Sequence, residues 1–523
     1  MKFSDKIAIV ITVAALGMAT QSCDLQTEPT TSVSADDVFK SYEDGETVLN
    51  GIWRFMMESW WTYANPGFGA FLRASDAMSS DVVLNTKYGY SALYDFTGVY
   101  GRNGTNSLSW EISYQTINNC NNVIAHMGEV TGSETDRNRV KGQALALRGF
   151  IYLHLASHYS FAVDYDENAT CVPIYVNPTD GDYLDQATEG MPASTVKEVY
   201  NQAIEDLETA VMLIPESYTR TEANDKYKID RHTARAILAR AALYARDWEK
   251  AYEAAGEVIS EDGYLMTEAE FKSGFNDISN SEWIWGHPQT DDQSNPSYQF
   301  HFLDTTTPGS YYYSFNVDPY FRENYEDGDY RKDMIYWSID PGADPSSAGL
   351  VWMRNSKFRF RNMDTQVADI LLMRNSEMYL IAAEAGARLG KSNALELLNK
   401  VREARGAKPK TSDGDALLED IYMERRLELW GEGFGVVDLI RLQKSVERKE
   451  WPQDQENFVE YKWTDSEGGV HSRMIQPQGH RIIKFPDGSD FSPNSKYYLF
   501  RITLDEELVN TNLYKNHPRP SFY

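Results

Sequence analysis

Two imidazoles stand four residues apart in His154-Leu-Ala-Ser-His158. On a helix they would share a face, as two zinc ligands do. The Glu that completes a metalloprotease helix is missing, and the surrounding stretch is rich in core residues, so packing accounts better for the pair. Gly431-Glu-Gly433-Phe-Gly435 has the look of a nucleotide loop. Its spacing is wrong, and it ends a helix where a phosphate loop would join a strand to one. Paired carboxylates could serve glycoside hydrolysis, but among 78 Asp and Glu any spacing occurs by chance. No GxSxG elbow or Walker loop is present. What does stand out is aromatic. Trp53 to Tyr100 holds 12 aromatic residues in 48, and Ser281 to Trp337 holds 15 in 57, about double the 13% of the whole chain.

The elements that must carry those rings are mostly helices. Helical spacing of Val38, Phe39, Tyr42, Leu49, Ile52, Trp53 and Met56 predicts a first helix over Asp36 to Glu58. Trp110 to Val130 and Ser133 to Tyr159 follow, the second with Gly142, Ala144, Ala146 and Gly149 suited to close approach. Ser194 is the expected cap of a helix over Thr195 to Leu213, which Pro215 ends. Two hairpins with alanine spines come next, Asp230 to Tyr244 with Asp247 to Ser260, and Ile370 to Leu389 with Ser392 to Arg405. They are similar to degenerate tetratricopeptide units. Asp415 to Gly431 and Val436 to Gln443 complete the helical set, and Arg481–Lys484 and Tyr497–Phe500 are strand-like. The fold class is therefore mainly α, with tetratricopeptide-like helix pairs forming one body. Long aromatic-rich loops are inserted at about 59–109 and 281–365, with a few short strands. Trp283 and Trp285 alternate as in a buried strand, and Phe321 and Tyr325 have the spacing of core residues.

Composition removes other classes. A formal charge of −28 opposes binding to nucleic acid, which needs cations to displace counterions. Three cysteines cannot frame a fold with disulfides; Cys120 and Cys171 could pair or remain buried thiols. At the N-terminus Lys2 and Lys6 precede an apolar run of 13 residues, Ile7 to Ala19, and then Thr20-Gln21-Ser22-Cys23. The run is too short to span a bilayer and reads as an export signal. Ser22-Cys23 resembles a bacterial lipoprotein cleavage site. Residues 1–22 would then be the signal, and 23–523 the mature chain, with lipid on Cys23 as its sole membrane attachment.

Four blocks, in order, resemble the SusD/RagB family of outer-membrane nutrient-binding lipoproteins of Bacteroidota. They are Ala144–Tyr159, Leu371–Ala385, Ala394–Gly406, and Glu424–Gly433 running on to Asp438–Arg441. Within them Glu424, Arg425, Arg426, Glu428, Asp438 and Arg441 are expected as ion pairs between helices, not as binding residues. The resemblance implies a non-catalytic subunit, without cofactor or metal, that captures glycan over a SusC-like TonB-dependent transporter. A RagB-like peptide carrier and a surface glycoside hydrolase are the alternatives; a peptide pool and a reducing-sugar assay discriminate them.

A sugar ring offers apolar C–H faces to aromatic stacking and hydroxyls to Asn, Asp or Arg. The aromatic-rich loops are the natural source of such a platform. The candidates are Trp60, Trp61, Tyr63, Tyr88, Tyr90 and Tyr94 from the first loop region. The second supplies Tyr298, His301, Tyr311, Tyr312 and Tyr313. Asn65, Asn85 and Asp304 are the candidate hydrogen-bonding partners.

Overall fold

A computed structural model of the chain describes residues 38–58, 66–85, 89–100, 104–179, 184–290 and 298–521. The chain divides into Met1–Lys40, of which residues 38–40 are described, and the body Ser41–Tyr523. The apolar run Ile7 to Ala19, Cys23, Trp60, Trp61, Tyr63, Asn65 and Tyr88 lie outside the described residues.

The body is mainly α-helical. Its long helices are Tyr42–Glu58, Gly104–His126, Glu134–Tyr159, Val196–Leu213, Arg231–Ala245, Trp248–Glu261, Asn375–Arg388, Ala394–Ala404 and Gly414–Glu428. Each lies against the next in chain order, so the helices stack as successive hairpins. Local chemistry sets their ends. Ser133 accepts from the Asp136 N–H, and Asp230 from that of Thr233. Thr195 forms a capping box with Glu198. The cap thus falls one residue after the expected Ser194, because Ala193–Thr195 is a short strand paired with Thr170–Pro173. Arg246 turns through φ +63°, which lets Arg231–Ala245 fold straight back as Trp248–Glu261.

Close approach is written in glycine where the expectation placed it. A Cβ on Gly142 would meet Ile214 Cγ1 at 2.6 Å, and one on Gly149 would meet Leu207 Cγ at 2.8 Å. The Glu134–Tyr159 helix can therefore lie tightly against Val196–Leu213. His154 and His158 face this interior. His154 stacks on Phe71 at 5.0 Å, and its Nε2 is 2.9 Å from Ser109 Oγ. Burial holds both imidazoles below the usual range, His158 at about 4. They are neutral core groups. Cys120 and Cys171 are buried free thiols.

Three expected boundaries move. Ile370–Arg374 is a strand, antiparallel to Trp283–His287, and the helix begins only at Asn375. The β-branched and large apolar residues there fill a pairing site that local helical periodicity cannot sense. Trp283 to His287 is buried at every position. In the C-terminal part the strands are Val459–Thr464 and Val470–Pro477, not Arg481–Lys484 or Tyr497–Phe500. They join Ile335–Ser338 and Leu350–Asn355 in a four-stranded sheet. Lys496–Tyr498 is a 3-10 turn that buries Tyr497 and Tyr498. The described parts of the two aromatic-rich segments also hold regular elements. The first contains the buried Gly69–Ala77 helix and the Val82–Leu84 strand, which pairs with Phe315–Val317 of the second.

A buried ion network ties these parts together. Arg374 bridges Glu282 at 2.7 Å, Glu428 at 2.6 Å and Glu432 at 2.7 Å. Arg405 reaches Glu282 and Glu428, and Arg331 reaches Glu424 and Glu428. Burial alone would raise the Glu428 carboxyl, but Arg405, Arg374 and Arg331 outweigh it and hold it well below the usual range. Arg425–Asp438, Arg426–Asp81 and Arg441–Glu384 are further pairs. Glu424, Arg425, Arg426, Glu428, Asp438 and Arg441 are thus held in ion pairs of the scaffold. Losing one member of such a set costs roughly 3–5 kcal/mol, because its partners stay buried and unpaired.

Candidate functional site

The network reaches the aromatic surface through Lys357. Its ammonium holds the Glu428 and Trp430 carbonyls at 2.9 and 2.8 Å and pairs with Glu432. Three residues on, the Phe360 N–H donates to Asp304 Oδ2 at 3.1 Å, and the Phe360 ring meets His301 at 4.6 Å. His301 lies on the short helix Tyr298–Leu303. The segment 310–314 folds back onto that helix through four bonds. Ser310 Oγ and the Tyr313 N–H both donate to the His301 carbonyl. The Ser314 N–H donates to the Phe302 carbonyl, and the Tyr311 N–H to His301 Nδ1 at 3.2 Å.

The two neighbouring rings of this segment face opposite ways. Tyr312 turns inward and stacks on Phe302 at 4.6 Å. Tyr311 turns outward and remains 52% exposed. Its ring lies on that of His301, centroids 4.4 Å apart and planes 22° apart. Gln366 Nε2 donates to its hydroxyl at 2.9 Å. Tyr298, half-buried, packs on the same imidazole at 5.3 Å. Because Nδ1 accepts a hydrogen bond, the neutral ring carries its proton on Nε2. Burial pushes the His301 pKa down to about 4, against a smaller opposing effect of Gln366, so the ring is uncharged at neutral pH.

Beside Tyr311 the backbone is strained. Tyr313 has φ +29° and Gln366 has φ +56°. Arg354 stabilises the first: it donates to the Tyr313 carbonyl at 3.0 Å, and its guanidinium sits 5.6 Å from the ring centre. Asn85 Nδ2 reaches the same carbonyl at 3.3 Å. Arg354 is fully buried, and desolvation lowers its pKa to about 10 despite its 2.6 Å pair with Asp340. Opposite Arg354 in the strand pair stands Tyr336, 42% exposed.

The rings named from sequence therefore separate. Tyr311 is presented to solvent, while Tyr298 and Tyr313 are half-buried beside it. Tyr90, Tyr94, His301 and Tyr312 are corrected to interior positions. Tyr90 packs edge-on against Phe302 and Phe315. Tyr94 stacks on His480, bonds its Nδ1 at 2.7 Å, and covers the Arg448 guanidinium. Large rings bury much apolar area, and a hairpin of two packed segments has more inside than outside to offer them. Asn85 and Asp304 are buried too. Asp304 accepts from the N–H groups of Thr306, Thr307 and Phe360, which shapes the turn below Tyr311. Gln366, Arg354 and Tyr336 were not foreseen. Tyr336 lay in the aromatic-rich count, whereas Gln366 and Arg354 carry no local signal.

The surface that results is a solvent-facing tyrosine on a rigid neutral base, flanked by amide and phenol groups. It can stack on an apolar face and bond to hydroxyls. The nearby carboxylates of Asp304 and Asp340 are engaged in holding backbone and Arg354. Among the described residues no cluster of His, Cys, Asp or Glu could hold a metal ion.

Comparison with known proteins agrees with this architecture. A family described as the SusD family matches residues 289–519, and one described as starch-binding associating with outer membrane matches 60–243. The structure of a SusD-like carbohydrate binding protein from Bacteroides vulgatus is 56% identical, with a TM-score of 0.89 over 93% of this chain and 100% of that one. A SusD superfamily protein from the same organism, 22% identical, shares the fold with a TM-score of 0.71 over 92% of this chain and all of that one. The SusD-like protein P38 of Formosa agariphila is 25% identical over 508 residues, 85% of this chain and 93% of its own. The chain belongs to the SusD family.

Proposed function

We propose that the protein captures glycan at the outer membrane without chemically altering it, and passes it to a SusC-like TonB-dependent transporter. The observation that carries this is Tyr311, held half-exposed on the neutral His301 ring with its hydroxyl tied to Gln366. A ring fixed from below loses little entropy on binding, so its stacking energy is retained. Tyr298, Tyr313 and Tyr336 extend the surface. Trp60, Trp61, Tyr63 and Tyr88 remain candidates to complete an arc, since one ring supplies only ~0.5–1.5 kcal/mol. The name of the 56% identical relative, a carbohydrate binding protein, supports the same ligand class. Lipid on Cys23 would hold the chain to the membrane, consistent with a family described as associating with it. No helix among the described residues is long and apolar enough to cross a bilayer.

A glycan array set against a peptide pool tests the ligand class. Binding to one glycan group, with no release of reducing sugar, is expected. Retention of peptides alone would replace glycan capture with peptide capture.

A further inference from the structure

Away from Tyr311, two cavities of about 340 and 330 Å³ open on either side of the Arg220–Asp230 ion pair and meet at His232. They share no lining residue with the tyrosine surface. The larger is a groove of the size that small ligands occupy.

Cation pairing differs sharply between the two halves. In the smaller, Arg231 pairs with Glu216 at 2.6 Å, and Arg235 with Glu257 at 2.6 Å and Glu261 at 3.1 Å. In the larger, Arg220 is held by Asp230 at 2.8 Å and donates to the Ile284 carbonyl at 2.7 Å. Lys226 is the exception. Its ammonium has a single hydrogen bond, to the Asn280 carbonyl at 2.6 Å, and no carboxylate among the described residues pairs with it. Asp262 and Asp277 are near enough to favour its charge, yet burial and Arg220 win and push its pKa down to about 8. A partly desolvated ammonium with two uncommitted N–H groups is costly unless a ligand meets it.

The rest of the larger cavity suits a sugar. The exposed residues Thr221 and Ser281 line it, as do Ser279, whose side chain bonds to Asp277, and the acidic residues Glu222 and Asp262, neither of them in an ion pair with Lys226; Trp283 gives it an apolar wall. The Asn375 side-chain oxygen, in a residue only 1% exposed, has no donor. An ammonium with no carboxylate in direct contact, beside exposed hydroxyl-bearing residues and an amide oxygen without a donor, can meet an oxyanion carried on a polyhydroxylated ring.

We infer that this groove is a second glycan site, selective for saccharides bearing an oxyanion, with Lys226 as the residue that reads the charge. The shared chemistry is that of a uronate carboxylate or a sulfate ester. The inference rests on glycan capture as the protein's function, but on a different surface from Tyr311.

Titration calorimetry on the full chain in detergent tests it, with trigalacturonate, a sulfated galactotriose and neutral galactotriose as probes. At least one acidic probe should bind more tightly than the neutral one. Lys226→Met should weaken that probe about tenfold, the loss expected for one charge-assisted bond. Lys226→Arg should retain it, and the stronger acidic probe identifies the source of the oxyanion. Tyr311→Ala should leave acidic binding at the groove intact, so failure at one surface is read separately from failure at the other. Equal affinity of all three probes, or unchanged acidic binding in Lys226→Met, would overturn the assignment. A fall in the melting temperature of Lys226→Met without any change in acidic binding would do the same, since it would make Lys226 a structural tie to Asn280.

Discussion

Tyr311 rests on His301 twice over: ring on ring at 4.4 Å, and backbone N–H on Nδ1 at 3.2 Å. The imidazole sets both the place and the tilt of the exposed phenol. Phe360 supports it from another side at 4.6 Å, and Lys357 ties that segment to the buried ion network. Scaffold charge and the exposed tyrosine are thus mechanically continuous.

Tyr311→Ala should weaken capture of a neutral glycan by about two- to tenfold, the stacking energy of one ring. The melting temperature should hardly change, because the lost ring is half in solvent. Affinity electrophoresis in glycan-loaded gels reads this directly. Wild-type mobility in the variant would remove Tyr311 from the ligand surface.

Cys23→Ala should move the protein from the membrane fraction to the soluble fraction, because two or more acyl chains are what hold a lipoprotein to a bilayer. Fractionation with and without the substitution measures it. A variant that stays with the membrane would rule out the lipid anchor.

Gly149→Ala should destabilise the fold by about 1–3 kcal/mol through overpacking. Its Cβ would lie 2.9 Å from the Ala203 carbonyl oxygen and 2.8 Å from Leu207. Gly256→Ala, in the Trp248–Glu261 helix with nothing within 4 Å of the added Cβ, should stabilise by about 0.5–1 kcal/mol. Urea midpoints for the two variants should move in opposite directions.

Stability should fall as pH drops from about 6.5 toward 4. His158 titrates near 6.5 when unfolded and near 4 when folded, depressed by burial. Between those values the unfolded chain binds the extra proton, so acid favours unfolding. His480, depressed to about 3 by burial and Arg448, acts in the same direction. Melting curves should show a shallower acid loss in His158→Gln than in the unaltered chain. An identical slope would place the acid sensitivity elsewhere.

Much of the scaffold was legible in one dimension. Alanine spines marked the hairpins, and Gly142 and Gly149 marked the tight helix contact. Glu424 to Arg441 read as ion pairs because charges on the apolar faces of helices must find partners. Trp283 and Trp285 read as buried because period-two alternation is local. Ile370–Arg374 did not read as a strand, since its partner, Trp283–His287, is distant in the chain, with Trp283 opposite Arg374 and His287 opposite Ile370.

The candidate site was legible as a region and not as residues. Composition alone located an aromatic-rich stretch, because a doubled ring content is a property of the sequence by itself. Which ring meets solvent is not. Tyr311 and Tyr312 are chemically identical neighbours, and the helix Tyr298–Leu303 lying against them decides that one stacks outward on His301 and the other inward on Phe302. Gln366 and Arg354 arrive from 55 and 41 residues away. Sequence determined the helical body, its charge pairs and its supply of rings, because those follow from short-range periodicity and from the cost of burying charge. Only the tertiary structure decided which of those rings are exposed, because exposure depends on which distant segment covers each face.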